Sequence, residues 1–314
     1  MFKFIIGCTS DKIWNHGDLL DFLIANQQGS IEITIEPEAV CLENLGLYQL
    51  LDKFSFEQVI IKTWNPLEQH PVYDIQYKGN NFWFNKLETI DPSLHVWNQH
   101  RLFYCLFGRP TASRLGLGGY LLTHYPTASH LHFSAVTDND ALMHCELDKL
   151  LTYRTASIAE AGVLIDKLPL LLGPSDQYTQ CRGYVYTDPL TDLYRDIFVD
   201  ILSESHVAGT TFFPTEKTIR PMWLKKPFIV FASKNYLDYL HQMGFRTFCD
   251  FWSEEYDGYE GQERFVRILK LIDQLAQTPI DKLEKMYWDM QYTLDYNYNL
   301  LLTQTYKKEI TYIP

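Results

Sequence analysis

Nowhere does the chain hold an apolar run of the roughly 18 residues that a transmembrane helix needs. The start, Met1–Cys8, carries one lysine and a short apolar run before Thr9-Ser10-Asp11. That is long enough for a first β-strand and too short for a signal peptide. The six cysteines (Cys8, Cys41, Cys105, Cys145, Cys181, Cys249) are scattered and none forms a CxxC pair, so no zinc-site spacing exists. Without a signal peptide they are expected to stay reduced in a cytoplasm. Gly/Ser linkers, low-complexity tracts and internal repeats are all missing. Positive charge is scarce as well. Lys and Arg number 27 against 39 Asp and Glu, a net charge of −12. Non-specific nucleic-acid binding needs a basic surface, which argues against a general DNA or RNA binder but leaves room for a local basic pocket.

What is present is core-forming material. Of 314 residues, 46% are hydrophobic and 15% aromatic, enough for one large domain or two of ordinary size. Lys3–Gly7, Ile31–Ile35 and Val59–Thr63 read as strands, with helical patterns at Asp18–Asn26 and Leu45–Phe54 between them. That alternation favours a parallel sheet with crossover helices. Asn65–Pro92 is irregular and polar. Arg101–Phe107 reads as a strand ending at Gly108-Arg109-Pro110, and a helix from about Ala112 to Leu122 follows despite its glycines. Arg109 and Arg114 thus flank a strand-to-helix junction, the kind of place where parallel sheets bind ligands.

Ser129–Ala135 is a further strand. Its His130 and His132 face one side, but no carboxylate is placed to complete a metal site, and packed or surface histidines are the simpler reading. Asp138-Asn139-Asp140 has the Asp-x-Asp form that some transferases use to hold a cation, and is read more simply as the cap of a helix over Ala141–Leu151. Ile158–Leu168 is helical in pattern, and a polar crossover follows to Arg182. Phe198–Leu202 is a strand with Ser203-Glu204-Ser205 at its carboxyl end. Asn235–Met243 reads as a helix closed by Gly244 and Phe245, with Arg246–Cys249 as a last strand. Glu263–Leu275 is a clean amphipathic helix, and Thr278-Pro279 opens another that carries Leu283, Met286, Met290 and Leu294 past Asn297. The expected architecture is α/β: an N-terminal half over residues 1–168, a second half over 169–314, a cleft between them and a long C-terminal helix.

Phe213–Phe231 is the stretch on which the chain turns. Thr215 is a good N-cap and Glu216 suits a first helical turn, whereas Lys217 and Arg220 do not, because a helix start already carries partial positive charge. Two cations there make sense if an anion sits among them, since free N–H groups with basic side chains make a phosphate site; the plainer reading is a surface helix with ordinary solvated charges.

The residues Ser203-Glu204-Ser205, Phe213-Pro214-Thr215-Glu216-Lys217-Thr218, Pro221 and Lys226-Pro227-Phe228-Ile229-Val230 resemble the nucleotide-sugar glycosyltransferases of the GT-B type. So do Gly244-Phe245-Arg246-Thr247-Phe248 and Trp252-Ser253-Glu254-Glu255-Tyr256-Asp257. The closest likeness is to the α-1,3-fucosyltransferase group and related transferase-like proteins of phages and aquatic microbes. Arg109-Pro110 and Arg114-Leu115 look like that group's Arg-Pro…His-Arg segment, with Ser113 where a histidine is usual. The likeness spans roughly residues 100–300. It implies two Rossmann-like domains and a nucleoside-diphosphate sugar as donor, with no metal or other cofactor required. Lys217 would pair with the donor diphosphate, Glu216 with ribose or sugar hydroxyls, and Arg109 or Arg114 with the same phosphates; Glu204 would line the pocket. The donor-side set is therefore Arg109, Arg114, Glu204, Thr215, Glu216, Lys217 and Arg220. An inverting transfer to an acceptor hydroxyl also needs a base. Asp11, His16 and Asp18 are candidates by position after the first strand. The competing readings are a catalytically silent nucleotide- or carbohydrate-binding or assembly protein and, against the acidic balance, a transferase acting on nucleic-acid bases.

Overall fold

The computed structural model describes residues 1–9, 12–36, 38–79, 97, 101–108, 110–133, 140–154, 156–170 and 193–306. Within them the chain divides into two compact units. One comprises residues 1–79 and Ala208–Phe213; the other holds the rest. The protein is α/β in both. Among the described residues no helix is long and apolar enough to cross a membrane.

The first unit runs β1 (Phe2–Thr9), β2 (Lys12–Ile13), α1 (His16–Ala25), β3 (Ser30–Glu36), α2 (Leu47–Leu51), β4 (Gln58–Thr63) and β5 (Asp74–Tyr77). Its sheet has the order β2-β1-β3-β4-β5. β1, β3, β4 and β5 are parallel, and β2 folds back antiparallel on β1. Ile31, Ile33 and Ile35 are fully buried with Leu19 and Leu23 of α1 and Leu47 and Leu51 of α2. Burying each such side chain is worth about 1.5–3 kcal/mol, which is what makes these short elements hold. Glu32, on the same strand, is held between Lys3 (3.2 Å) and Lys62 (3.0 Å) of the flanking strands.

The second unit runs β6 (Arg101–Phe107), α3 (Ala112–His124), β7 (Ser129–Phe133), α4 (Asp140–Leu151), α5 (Ala156–Ile165), β8 (Ile197–Ser203), α6 (Glu216–Trp223) and β9 (Phe228–Phe231). Then come α7 (Tyr236–Gln242), a 3-10 turn (Glu255–Gly258), α8 (Gly261–Gln277), α9 (Ile280–Asp289) and α10 (Gln291–Tyr306). Its four strands are all parallel, in the order β7-β6-β8-β9. Every residue of β8 and β9 is buried, as expected of parallel strands covered on both faces. The glycines of α3 permit a backbone-to-backbone approach: a Cβ on Gly119 would lie 2.6 Å from the Glu160 carbonyl group of α5.

Three expectations need correction. The boundary at 168/169 falls inside the second unit, because β6 and β7 hydrogen-bond into one sheet with β8 and β9. Arg246–Cys249 is not a strand. Its backbone is satisfied by side chains instead, Asn297 serving Arg246 and the Glu254 carboxylate accepting from Phe248 N at 2.8 Å. The C-terminal helix is two, α9 and α10, broken at Met290. The glycine stop after α7 is as expected. Gly244 has φ +92°, Phe245 N donates to Leu240 O, and Gly244 N donates to His241 O.

Candidate functional site

The order β7-β6-β8-β9 contains a reversal. From β6 the chain passes through α3 to β7 on one side, and it later returns to β8 on the other. Helices at such a switch leave the carboxyl ends of two neighbouring strands uncovered, and ligands of open parallel sheets bind in that crevice. Here the ends are those of β6 and β8, followed by the starts of α3 and α6.

α3 brings Ser113 and Arg114 to the end of β8. Ser113 Oγ lies 2.8 Å from Ser203 Oγ, and the Arg114 guanidinium donates to Ser203 O at 3.2 Å. All three residues are buried. The start of α3 is itself occupied, since Ala112 N donates to a Glu146 carboxylate oxygen at 2.7 Å.

β8 runs directly into Glu204, whose side chain organises the start of α6. One carboxylate oxygen accepts from Thr215 N (3.1 Å), Thr218 Oγ1 (2.6 Å) and Tyr236 OH (3.1 Å), and the other from Thr215 Oγ1. Thr215 is the N-cap: its backbone is extended, and its Oγ1 accepts from Lys217 N at 3.3 Å. Glu204 is 2% exposed. It therefore ties the start of α6 to the end of β8.

Lys217 and Glu216 lie in the first turn. Lys217 Nζ is 2.8 Å from Glu216 Oε1, 3.0 Å from Thr215 Oγ1 and 3.4 Å from Ser205 Oγ. Burial alone would push the Glu216 carboxyl up, but Lys217 and Arg220 draw it below the ordinary carboxylate range.

Arg220 does not belong to this cluster. It is 3% exposed; its Nε donates to Tyr194 OH at 2.6 Å, and its terminal nitrogen lies 3.5 Å from Asp200. Asp200 also accepts from Tyr194 OH. Burial pushes the Asp200 carboxyl up to about 6 against the pull of Arg220 and Tyr194. The apparent misfit of a cation in α6 is thus resolved by a buried ion pair under the helix. Lys226 turns inward too. Its Nζ donates to Ile197 O at 2.9 Å and sits over the Tyr287 ring, and burial lowers its pKa to about 7.

Arg114, Glu204, Thr215, Glu216 and Lys217 thus gather around the end of β8 and the start of α6. Arg109 and Asp11 lie outside the described residues. His16 and Asp18 are exposed on the first turn of α1, in the first unit. His132 is buried in β7, Asp138 lies outside the described residues, and Asp140 begins α4. Among the described residues no group of three His, Cys, Asp or Glu side chains is gathered as a metal site requires. Ser113, Thr218 and Tyr236 also serve the cluster. Thr218 carries a signal in its i+3 spacing from the cap. Tyr236 carries none, because only folding brings it to Glu204.

No protein-family model matches the chain, and neither do any of the curated proteins or solved structures compared with it.

Proposed function

We propose that the chain is a nucleotide-sugar glycosyltransferase built on two Rossmann-like domains of the GT-B kind. In this reading the donor diphosphate lies at the switch between β6 and β8. The observation that carries it is the position of Lys217: a lysine in the first turn of a capped helix, beside the carboxyl ends of two parallel strands, with Arg114 brought to the same strand end.

The chemistry fits. As the glycosidic bond of a nucleotide sugar breaks, negative charge develops on the leaving diphosphate, and fixed cations in a sheltered place stabilise it. Lys217 supplies one such charge and Arg114 the second. Thr215, Thr218, Tyr236 and Glu204 hold the helix that carries Lys217, so its charge is in place before the reaction begins. An inverting transfer also needs a base for the acceptor hydroxyl, and Asp11, His16 and Asp18 are the residues to test.

Thermal-shift titration with GDP, UDP, ADP and dTDP tests the donor site. At least one should raise the melting temperature of the wild type, and Lys217→Ala should abolish the shift. No shift with any of the four defeats the reading. Hydrolysis of a nucleotide sugar in a panel then separates an enzyme from a silent binder.

A further inference from the structure

β1 lies between β2 and β3, but β2 covers only its last residues. The pairs with β2 are Cys8–Ile13 and Thr9–Lys12, whereas β3 pairs with everything from Phe2 to Gly7. Backbone groups point alternately to the two sides of a strand. On the side away from β3, Trp14 N donates to Gly7 O at 2.7 Å, Gly7 N donates to Asn15 Oδ1 at 3.0 Å, and Asn15 Nδ2 donates to Ile5 O at 2.9 Å. By alternation Lys3 turns both of its backbone groups to that side as well. Among the described residues nothing takes Lys3 N–H, Lys3 C=O or Ile5 N–H. Apolar side chains flank these open groups: Met1 is 57% exposed, Phe2 54% and Ile5 62%. Such an edge is a template for another strand.

We infer that the occupant is β1 of a second copy of this chain, paired antiparallel about a two-fold axis at Lys3. A residue that turns both a donor and an acceptor outward can exchange both with its own copy, which is what a two-fold contact requires. Lys3 N–H meets the partner's Lys3 C=O, and the reverse. In the same register Ile5 N–H meets the partner's Met1 C=O. The side chains match too. Ile5 falls opposite the partner's Met1 on one face. Phe2 falls opposite the partner's Phe4 on the other, where Phe4 packs on Phe22 of its own chain with ring centroids 5.0 Å apart. Like charges meet only at Lys3, and each Lys3 ammonium is held by Glu32 at 3.2 Å. An axis at Phe4 would instead need Ile5 O, which Asn15 already takes. The two sheets then run on as one, and the contact closes after two copies.

Sedimentation velocity of the untagged chain, from about 1 to about 100 µM, tests this. The wild type should pass from one copy to two across that range. Lys3→Pro removes the N–H that donates across the axis. It leaves the ladder to β3 intact, because that N–H faces away from β3. The variant should stay monomeric, its association weakened at least about 100-fold. Thermal melts establish that it is folded. Ile5→Lys, a change at an exposed position that sets a charge against the partner's Met1, repeats the test should the proline variant fail to fold. A wild type that stays monomeric throughout overturns the inference, and so does one that needs an extended peptide of another protein to fill the edge. A folded Lys3→Pro or Ile5→Lys that associates as tightly as the wild type overturns it as well, as does assembly that runs past two copies.

Discussion

Asn297 of α10 holds both backbone polar groups of Arg246: Arg246 N donates to its Oδ1 and its Nδ2 donates to Arg246 O, each at 2.8 Å. One side chain thus does for residue 246 what a neighbouring strand would have done. The Arg246 guanidinium packs over the rings of Tyr292 and Tyr296 of the same helix. Asn297→Leu should therefore destabilise the second unit by about 1–2 kcal/mol, since it leaves a part-buried donor and acceptor unpaired. Urea denaturation measures it. A loss under about 0.5 kcal/mol would mean that water satisfies Arg246 equally well.

Lys226 should give the protein a pH dependence of known sign. Burial lowers its folded pKa to about 7 from an ordinary 10.5. Between those values the unfolded chain holds more protons than the folded one, so stability rises as pH rises through that window. Lys226→Met should stabilise the protein at pH 6 by roughly 2–4 kcal/mol, and the advantage should shrink steadily toward pH 9. Urea melts of both proteins at pH 6, 7.5 and 9 give the difference. A constant difference would show that the Lys226 proton does not respond to folding.

Gly119→Ala should be costly although alanine is the better helix former. Its Cβ would meet the backbone of Glu160 and Ala161, which cannot yield as a side chain can. A loss of about 1–3 kcal/mol is expected, read as a fall in Tm. A neutral or raised Tm would show that α3 and α5 can move apart freely.

Glu204→Gln should uncouple α6 from the sheet. The amide oxygen of glutamine can keep the bonds that one carboxylate oxygen takes from Thr215 N, Thr218 and Tyr236, but the amide nitrogen cannot accept the bond that the other oxygen takes from the Thr215 hydroxyl, and it sets a donor against a donor. We expect a loss of about 1–3 kcal/mol in stability. Nucleoside diphosphates should also bind more weakly, because Lys217 loses its fixed position. Unchanged binding in a destabilised variant would separate the two roles and leave Glu204 purely structural.

What could be read from the sequence was what near neighbours decide. Thr215 as the cap of α6 and Gly244 as the stop of α7 follow from spacing and residue type, and the structure has them so. What could not be read depends on distant partners. Nothing near Arg101–Phe107 says that it pairs with Ile197–Ser203 rather than with the strands that precede it. Thr247 and Phe248 have a strand-like composition, yet a carboxylate seven and six residues on takes their polar groups. Arg220 was grouped with Lys217 by sequence proximity. Three residues apart, they share a helix face, and their partners separate them: Arg220 reaches Asp200 beneath the helix and Lys217 stays near Ser205.

The short segment Ala208–Phe213 belongs to the first unit, although the residues on either side of it belong to the second. Asn65 fixes it, donating to Thr210 O at 2.7 Å and accepting from Phe212 N, while Thr211 Oγ1 donates to Ala39 O at 2.6 Å. The first unit is therefore not a detachable N-terminal module. A fragment ending near residue 80 would leave Asn65 facing the gap left by a strand of chain encoded more than a hundred residues later. A single cut in that segment would part Glu204 from Thr215 in the covalent chain while leaving the hydrogen bonds between them to hold the two ends together.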